Sequence, residues 1–309
     1  MTGSKTTLAP LARPAEGTVV VVAGVTAAGK TRAGIALAKR WDGELVGADS
    51  VQVVRGFDIG SAKPTPAELD GVPHHLLDVV APDEAIDAAK YAALADVAIE
   101  DIRERGKLPI VVGGTGLWLR ALIRGLVALP PVDAELRAAL TAQAKQRGDE
   151  AMHRRLAEVD PRSAARLHPN DRLRVTRALE VFQQTGEPLG ELQEAHRLGA
   201  PRYRTRYYVL DREREDLYDA LKKRIALMLD AGWVDEVRGL RARWPGARAL
   251  GSVGYRQIGE HLDGAHDLEE ARRLIYKATR IYTRRQRTWF RGEPGELHWT
   301  DAATLARDE

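Results

Sequence analysis

Short apolar stretches alternate with amphipathic stretches along the first third of the chain. Thr18–Ala23, Glu44–Ala48 and Leu108–Val112 are short runs dominated by apolar residues, many of them β-branched, as in buried strands. Between them, Lys30–Arg40 and Asp87–Arg105 space their apolar residues three and four apart, as amphipathic helices do. This alternation predicts a parallel sheet with helices on both faces.

The pattern changes after Leu129-Pro130-Pro131, where helical stretches follow one another without strands. Helix starts are predicted at Asp133 and at Asp160, where Pro161 follows the cap, and Thr185-Gly186 is a helix stop. We therefore predict four regions: a loose tail at 1–17, a core segment at 18–129, a helical insertion at 130–190 and a second core segment at 191–309.

The second core segment returns to the sheet. Tyr207–Leu210 has the apolar character of a strand, and Leu297–Trp299 predicts a short edge strand. Between them, helices are predicted at Arg214–Asp230, which Gly232 stops, and at Asp267–Arg291.

The turn after the first strand carries the strongest chemical signal. Its sequence, GVTAAGKT, fits G-x-x-x-x-G-K-[ST] and lies between a predicted strand and a predicted helix. Such a loop directs backbone N–H groups toward one point, where the helix N-terminus adds positive potential. Lys30 adds an ammonium group, and the Thr31 hydroxyl can ligate Mg²⁺. The predicted diphosphate-binding residues are Gly24, Val25, Thr26, Ala27, Ala28, Gly29, Lys30 and Thr31.

Two further candidates follow predicted strands. Asp49 is placed as a general base or a Mg²⁺ ligand, although a turn or cap role explains its position as well. Thr115 follows Gly113-Gly114, and its hydroxyl either contacts a substrate or caps the next helix. Because ligands collect beyond the carboxyl ends of parallel strands, we expect both residues to lie near the phosphate loop.

One helix of the second core segment carries a cation in its apolar row. Leu217, Leu221 and Met228 recur at helical spacing within Arg214–Asp230, and Arg224 falls on the same row. An arginine in such a row either pairs with a buried acid or binds an anion, and the guanidinium fork suits phosphate. Arg224 is therefore a candidate diphosphate ligand, with an internal ion pair as the alternative.

Composition excludes several kinds of chemistry. The 309 residues include no cysteine, which excludes disulfides, thiolate metal sites and cysteine nucleophiles. The absence of cysteine fits a cytoplasmic protein. We expect no membrane contact, because no apolar run reaches the ~18 residues of a membrane span. His74 and His75 are adjacent and have no acidic residue or histidine at chelating spacing, so they do not predict a zinc site.

Positive charge is concentrated in two stretches, although the net charge is only +3. From Ala271 to Arg291 there are eight Lys or Arg residues and no acidic residue. Six of them form a basic stripe at helical spacing: Arg273, Lys277, Arg280, Arg284, Arg287 and Arg291. A second basic group consists of Arg162, Arg166, Arg172, Arg174 and Arg177. Solvation or internal ion pairs explain one stripe equally well, but two beside a phosphate loop favour a polyanion such as nucleic acid.

Eight blocks of sequence occur in an order that is specific to one family. They are GVTAAGKT, DSVQVVRGFDIGSAKP, PHHLLD, VGGTGLWLRAL, LHPNDRLRVTRALEV, LKKRIALML, ALGSVGYRQ and RRQRTWFR. From about Val19 to Trp299 the chain resembles the tRNA dimethylallyltransferases (tRNA isopentenyltransferases). The resemblance implies an α/β fold, a P-loop NTPase-like core with a parallel sheet flanked by helices, plus a helical insertion domain. It implies transfer of a dimethylallyl group from dimethylallyl diphosphate to the exocyclic amine of the adenosine immediately 3′ of the anticodon in tRNA.

The resemblance also implies roles for residues of this sequence. Lys30 and Thr31 would hold diphosphate and Mg²⁺, Arg224 would contact the same diphosphate, Asp49 would be the general base, and Thr115 would bind the target amine. Contacts with tRNA are expected from Ser50, Val51 and Gln52 at the modified base and from Leu173, Arg174, Val175, Thr176 and Arg177 in the insertion. The charge pattern adds Arg280 and Arg284 as candidates for tRNA phosphates.

Some positions depart from the family pattern. Val54 replaces a frequent aromatic residue, which leaves a stacking role there in doubt, whereas Ser61 keeps the hydroxyl of the usual Thr. Val25 and Ala28 replace Pro and Ser in the phosphate loop, where the backbone supplies the phosphate donors.

Three other functions remain open from the residues alone. A small-molecule kinase would bind ATP in the same loop, an RNA-binding module would carry a vestigial loop, and an adenylate isopentenyltransferase would modify a free nucleotide. The helical insertion and the basic stretches favour tRNA, since a mononucleotide does not require them. The expected assembly is a monomer that binds the anticodon stem-loop.

Overall fold

The computed structural model describes residues 12–197 and 200–307, so most of the predicted tail at 1–17 lies outside the described part. The chain divides into two compact units. One lies within Met1–Ile123 and Arg202–Glu309, and the other is Arg124–Pro201. The second unit is wider than the predicted insertion at 130–190, because its last helix packs within it. None of the described helices is long and apolar enough to cross a membrane.

A six-stranded sheet with the order β3-β2-β4-β1-β5-β6 organises the first unit, and every strand pair is parallel. Its strands are β1 Thr18–Gly24, β2 Gly43–Ala48, β3 His74–His75, β4 Leu108–Gly113, β5 Arg204–Leu210 and β6 His298–Thr300. The predicted parallel sheet is therefore confirmed, with β3 as a strand that the sequence pattern did not indicate and β6 shifted by one residue from its predicted bounds.

Fourteen helices surround this sheet or form the second unit within the described residues. They are α1 Lys30–Trp41, α2 Pro66–Leu69, α3 Ala88–Glu104, α4 Gly116–Arg124, α5 Ala134–Arg147, α6 Asp149–Val159, α7 Pro161–Arg166, α8 Arg172–Thr185, α9 Leu189–Arg197, α10 Arg214–Asp230, α11 Trp233–Arg243, α12 Tyr255–Leu262, α13 Leu268–Arg291 and α14 Ala302–Ala306. A 3₁₀ turn spans Arg248–Gly251.

The sheet is buried on both faces because alternate residues of each central strand enter different cores. Val19 and Val21 of β1 belong to a cluster with residues of α3, α4 and α13. Val20 and Val22 belong to a second cluster with residues of α1 and α10. Two covered faces explain why the central strands are apolar at nearly every position.

The register brings four strand ends to one edge of the sheet. Ala48 pairs with Gly113, Ala23 pairs with Gly113 from the other side, and Gly24 pairs with Leu210. The segments that follow β1, β2, β4 and β5 therefore emerge side by side. The phosphate loop, Asp49 and Thr115 occupy three of these positions.

The second unit is a small helical domain with its own core. Leu140, Met152, Leu156 and Leu179 are among its buried residues. The predicted caps are observed: Asp133 accepts from the backbone N–H of Leu136, and Asp160 accepts from that of Ser163. Asp160 also accepts from the N–H of Gly190 at 2.9 Å, which holds α9 in this unit.

Candidate active site

The phosphate loop connects β1 to α1 and requires glycine at both ends. A Cβ at Gly24 would lie 2.1 Å from the Leu210 carbonyl oxygen, and its φ is +143°. Gly29 has φ +90° and caps α1 without a side-chain hydrogen bond. The first N–H groups of α1 therefore have no capping side chain and are available to a bound anion. Ala27 also has a positive φ of +65°, strain of the kind that binding loops retain.

Lys30 folds back over this loop. Its Nζ donates to the Val25 carbonyl oxygen at 2.9 Å. Burial lowers the pKa of Lys30 to about 8; the nearby Asp49 opposes this shift and Arg224 reinforces it. The ammonium form is thus favoured only about tenfold at pH 7, and an anion bound in the loop would stabilise it further.

We expect inorganic diphosphate to bind more weakly as the pH rises above about 8, by up to about tenfold per pH unit. Binding needs the ammonium form, so above this pH Lys30 takes up a proton when the ligand binds. Calorimetry in buffers of different ionisation enthalpy measures that uptake. Diphosphate titrates in the same range, so Lys30→Met is the control, and equal uptake by both proteins would contradict the role of Lys30.

In the ligand-free protein, the lowered pKa of Lys30 affects the free energy of unfolding, which changes with pH in the opposite direction to diphosphate binding. Between pH about 8 and 10.5 the unfolded chain holds more protons at Lys30 than the folded chain does. The contribution of Lys30 to the free energy of unfolding therefore rises with pH across this window.

Asp49 and Thr115 are connected through the backbone of residue 50. The Thr115 hydroxyl oxygen accepts from the Ser50 N–H at 3.1 Å. Asp49 Oδ1 accepts from the N–H groups of Val51 at 2.9 Å and Gln52 at 3.3 Å. Asp49 therefore has the turn role that its position suggested. Within the described residues, the hydrogen bonds of this carboxylate engage Oδ1 alone, which leaves Oδ2 to accept a proton.

Arg224 lies on the side of α10 that faces this site. Its Nη2 donates to the Ser61 carbonyl oxygen at 3.3 Å. Burial lowers the pKa of Arg224, and Asp49 acts in the opposite direction. Its one hydrogen bond goes to a carbonyl, and no described carboxylate forms an ion pair with it. Two cations, Lys30 and Arg224, therefore share one carboxylate, and the site favours an anion.

The segment after Asp49 is held in place by its own backbone. Gln52 Nε2 donates to the carbonyl oxygens of Ser61 and Ala62, both at 3.1 Å. The Ser61 hydroxyl donates to the Phe57 carbonyl at 2.7 Å, so the replacement of Thr by Ser keeps this bond. Val54 is only 5% exposed and packs in the core, so its side chain does not present a surface for base stacking.

Glu236 of α11 anchors the same segment, and the sequence reasoning missed it. Its carboxylate accepts from the N–H groups of Asp58, Ile59 and Gly60 at 3.1, 2.6 and 3.1 Å. The Tyr255 hydroxyl donates to it at 2.7 Å. Nothing local marks Glu236, since it looks like any exposed acidic residue of an amphipathic helix.

Gln286 of α13 connects the phosphate loop to the loop before Thr115, and it was also missed. Its Oε1 accepts from Thr26 N at 2.9 Å and from the Thr26 hydroxyl at 3.1 Å. Its Nε2 donates to the Gly114 carbonyl oxygen at 3.0 Å, and a Cβ at Gly114 would lie 2.5 Å from this nitrogen. A signal existed, because Gln286 lies in a helical row with Thr283 and Phe290, as Arg224 does in its own apolar row.

Gln286→Glu should raise the KM for the diphosphate substrate about tenfold or more and change the KM for the second substrate much less. The glutamate keeps an acceptor for Thr26, loses the donor to Gly114 and adds a negative charge beside the phosphate loop. Gln286→Met removes both bonds without adding charge. Steady-state kinetics with each substrate varied, together with melting curves, test this; equal effects of both variants on the two KM values would indicate a purely structural residue.

The comparisons with known proteins agree with this geometry. The family model described as IPP transferase matches residues 52–293. The chain belongs to the IPP transferase family. It is similar to the tRNA dimethylallyltransferase of Sorangium cellulosum, with 50% identity over 284 residues that cover 92% of this chain and 90% of that protein. The tRNA dimethylallyltransferase of Anaeromyxobacter dehalogenans (strain 2CP-C) is 50% identical over 294 residues, which cover 94% and 98%.

Solved structures of IPP transferases have the same fold. The tRNA isopentenylpyrophosphate transferase of Bacillus halodurans superimposes with a TM-score of 0.67 at 38% identity, covering 93% of this chain and 90% of that one. A eukaryotic dimethylallyltransferase acting on tRNA gives a TM-score of 0.76 at 27% identity, covering 93% and 74%. The family and the α/β fold expected from the sequence blocks are thereby confirmed.

The five candidate residues of α8 differ in accessibility. Leu173 is 74% exposed, and the Arg174 side chain is exposed beside Asp171. Val175 and Thr176 are buried in the core of the helical unit. Contacts from the side chains of Val175 and Thr176 to a large ligand are therefore not supported, because the helix turns them inward.

Arg177 is an internal ion-pair residue in this arrangement. It donates to Glu180 Oε1 at 2.8 Å and to the Pro130 carbonyl oxygen at 2.8 Å. Glu180 is fully buried, and Arg137 binds its other oxygen. Arg177 is thus an example of the internal ion pairs that were considered for the basic stretches. Of the five residues of α8, we now expect side-chain contacts with tRNA only from Leu173 and Arg174.

Four members of the basic stripe of α13 also differ in their partners. Arg287 binds both carboxylate oxygens of Asp211 at 2.6 Å, and Arg273 binds Glu270. Among the described residues, Arg280 and Arg284 have no carboxylate partner. Internal acids therefore account for two members of the stripe and leave these two available.

Mg²⁺ was expected at Thr31. Within the described residues, no group of three or more histidine, aspartate or glutamate side chains could hold a metal ion. Thr31 is the second residue of α1, directly after the phosphate loop. Mg²⁺ commonly takes most of its ligands from substrate phosphates and water, with one or two protein oxygens. The residues present fit a metal ion held mainly by a bound diphosphate.

Proposed function

We propose that this chain transfers a dimethylallyl group from dimethylallyl diphosphate to the exocyclic amine of the adenosine immediately 3′ of the anticodon in tRNA. The products are N6-dimethylallyladenosine and diphosphate. The observation that carries the proposal is the cluster of two enclosed cations, Lys30 and Arg224, that share a single carboxylate, Asp49. Relatives named tRNA dimethylallyltransferase support the same reaction.

The cations serve the leaving group. When the allylic C–O bond breaks, the electron pair goes to the diphosphate, and the carbon that remains is a resonance-stabilised cation. Lys30, Arg224 and the N–H groups of α1 stabilise the charge on the departing diphosphate. With Thr31 as a ligand, bound Mg²⁺ would supply Lewis-acid neutralisation of that charge.

Asp49 serves the nucleophile. An adenine amine is weakly nucleophilic, because its lone pair is delocalised into the ring. As the new C–N bond forms, Asp49 Oδ2 takes a proton from this nitrogen. The Thr115 hydroxyl, which already accepts from the Ser50 N–H, orients the amine through its second lone pair.

The adenine that receives the dimethylallyl group must leave the stacked bases of its loop to reach this site. We assign Ser50, Val51 and Gln52 to the extruded adenosine, because the Thr115 hydroxyl fixes the Ser50 N–H and the Asp49 carboxylate fixes those of Val51 and Gln52. A rigid, partly exposed backbone can read the edge of a base with little loss of entropy on binding.

The tRNA surface is assigned to the accessible basic and apolar side chains. In the helical unit these are Leu173 and Arg174, and Val175, Thr176 and Arg177 support that turn from beneath. On α13 they are Arg280 and Arg284. Contacts with phosphates would make binding of tRNA strongly dependent on salt.

The experiment that tests the proposal is incubation of the protein with tRNA, dimethylallyl diphosphate and Mg²⁺, followed by mass spectrometry of the nucleosides. A gain of one prenyl group on adenosine is expected. Parallel reactions with AMP in place of tRNA, and with ATP in place of dimethylallyl diphosphate, test the free-nucleotide and kinase alternatives. Prenylation of AMP but not of tRNA, or phosphate transfer from ATP, would reject the proposal.

A further inference from the structure

A cavity of about 340 Å³ lies between the start of α10 and the middle of α13. Its lining is strongly basic: Arg214, Tyr218, Arg280, Thr283, Arg284 and Arg287. At about 30 Å³ for each water molecule, it has room for roughly eleven waters, which is enough for a hydrated diphosphate.

The cations of this cavity are poorly compensated. Arg287 is neutralised by Asp211, which binds it through both oxygens. Arg214, Arg280 and Arg284 have no carboxylate partner among the described residues. Like charges held close together repel, so this arrangement favours an anion in the space between them.

Arg280 is the most constrained of the three. Its guanidinium lies 4.2 Å from the ring centroid of Tyr218 and 5.4 Å from that of Tyr276. Its Nε is buried and has no hydrogen-bond partner among the described residues. An enclosed donor without a partner costs free energy, so an oxyanion that reaches it would be stabilised.

The cavity belongs to the same edge of the sheet as the phosphate loop. Asp211, which orients Arg287, directly follows β5, and the Leu210 carbonyl accepts from the Val25 N–H at 3.2 Å. On the other side, the guanidinium of Arg212 comes within 4.0 Å of the Cβ position at Gly29. The end of β5 therefore contacts the phosphate loop through Leu210 and the cavity through Asp211, which binds Arg287.

We propose that this cavity is a second phosphate-binding site, distinct from the phosphate loop, and that it takes free diphosphate when no tRNA phosphate occupies Arg280 and Arg284. A diphosphate is small enough for a cavity of about 340 Å³ and carries enough charge to interact with three guanidinium groups. Binding of inorganic diphosphate to this cavity does not depend on the proposed transfer reaction, so it can be measured whether or not tRNA is modified.

Calorimetric titration of the full-length protein with inorganic diphosphate tests the proposal. We expect two sites in the unmodified protein, one of which is lost in Lys30→Ala. In Arg284→Ala and in Arg280→Lys, diphosphate should bind the cavity at least tenfold more weakly, while the site that depends on Lys30 is retained. Arg285→Ala is the matched control, since it removes the same charge from the next position of α13 without lining the cavity.

The outcomes separate the sources of phosphate. A single site that Lys30→Ala abolishes completely would overturn the proposal. So would an effect of Arg284→Ala confined to an RNA hairpin, seen as weaker binding and a flatter salt dependence with unchanged diphosphate stoichiometry. Arg284 is exposed, so its variant tests the site even if Arg280→Lys fails to fold.

Discussion

Replacing Asp49 with alanine should lower the turnover of prenyl transfer about 10²-fold or more, which is the scale for removing a positioned general base. Binding of diphosphate should change little, because the base acts on a proton in the transition state and not on ground-state affinity. The measurement is single-turnover kinetics with saturating substrates, together with equilibrium binding of diphosphate and tRNA.

A second variant at this position is needed, because the Asp49 carboxylate also stabilises a turn by accepting hydrogen bonds from its backbone. Asp49→Asn keeps an oxygen that can accept from the N–H groups of Val51 and Gln52, but an amide does not take up the proton. Both variants should therefore be equally slow. Recovery of turnover in Asp49→Asn would show that the turn is what matters and would remove Asp49 as the base.

Replacing Arg224 with alanine should raise the KM for dimethylallyl diphosphate about 10- to 100-fold and also lower the turnover, with little effect on binding of tRNA. The guanidinium interacts with the diphosphate and gains strength as charge develops on it, and a charge-assisted hydrogen bond contributes about 1.5–3 kcal/mol. Arg224→Lys keeps the charge but loses the planar fork, so it should recover only part of the effect.

The control for Arg224 is Lys222→Ala on the same helix, where an exposed cation is removed away from the site. Melting curves separate binding from folding, since Arg224 also donates to the Ser61 carbonyl. A lower melting temperature with an unchanged KM for the diphosphate would identify Arg224 as a structural residue.

Local sequence determined most of the elements that hold the substrates. Strands β1, β2 and β4 were predictable because both faces of each are buried, so that apolar residues occupy nearly every position. The phosphate loop was predictable because its backbone geometry requires glycine at positions 24 and 29, whatever surrounds it. Arg224 stood out because a charge in an apolar helical row needs a reason.

Side chains whose partners are distant in sequence were not predictable in this way. Gln286 meets Thr26 across 260 positions, and Glu236 meets Gly60 across 176. Glu236 resembles any exposed acidic residue, and the helical row of Gln286 with Thr283 and Phe290 does not identify its partners. Only the packing of α11 and α13 against the strand ends reveals their roles. The two-residue strand β3 was missed for the same reason, since His74 and His75 become a strand only by pairing with β2.

The sequence pattern was least reliable in predicting which arginines of α8 and α13 are free of internal ion pairs. The regular spacing of Arg174 and Arg177 marks one helical face, but the fold buries Glu180 beneath Arg177 and leaves Arg174 at the surface. In the same way, Asp211 neutralises Arg287, while Arg280 and Arg284 of the same stripe have no carboxylate partner among the described residues.

The sequence by itself determined the family, the parallel sheet, the phosphate loop and the candidates at the strand ends, because each depends on local backbone geometry or on a periodic apolar pattern. The tertiary structure alone decided which cations are neutralised and which polar groups hold the loops. The physical reason is that burial and Coulomb interactions depend on distances in space, which a single sequence does not contain.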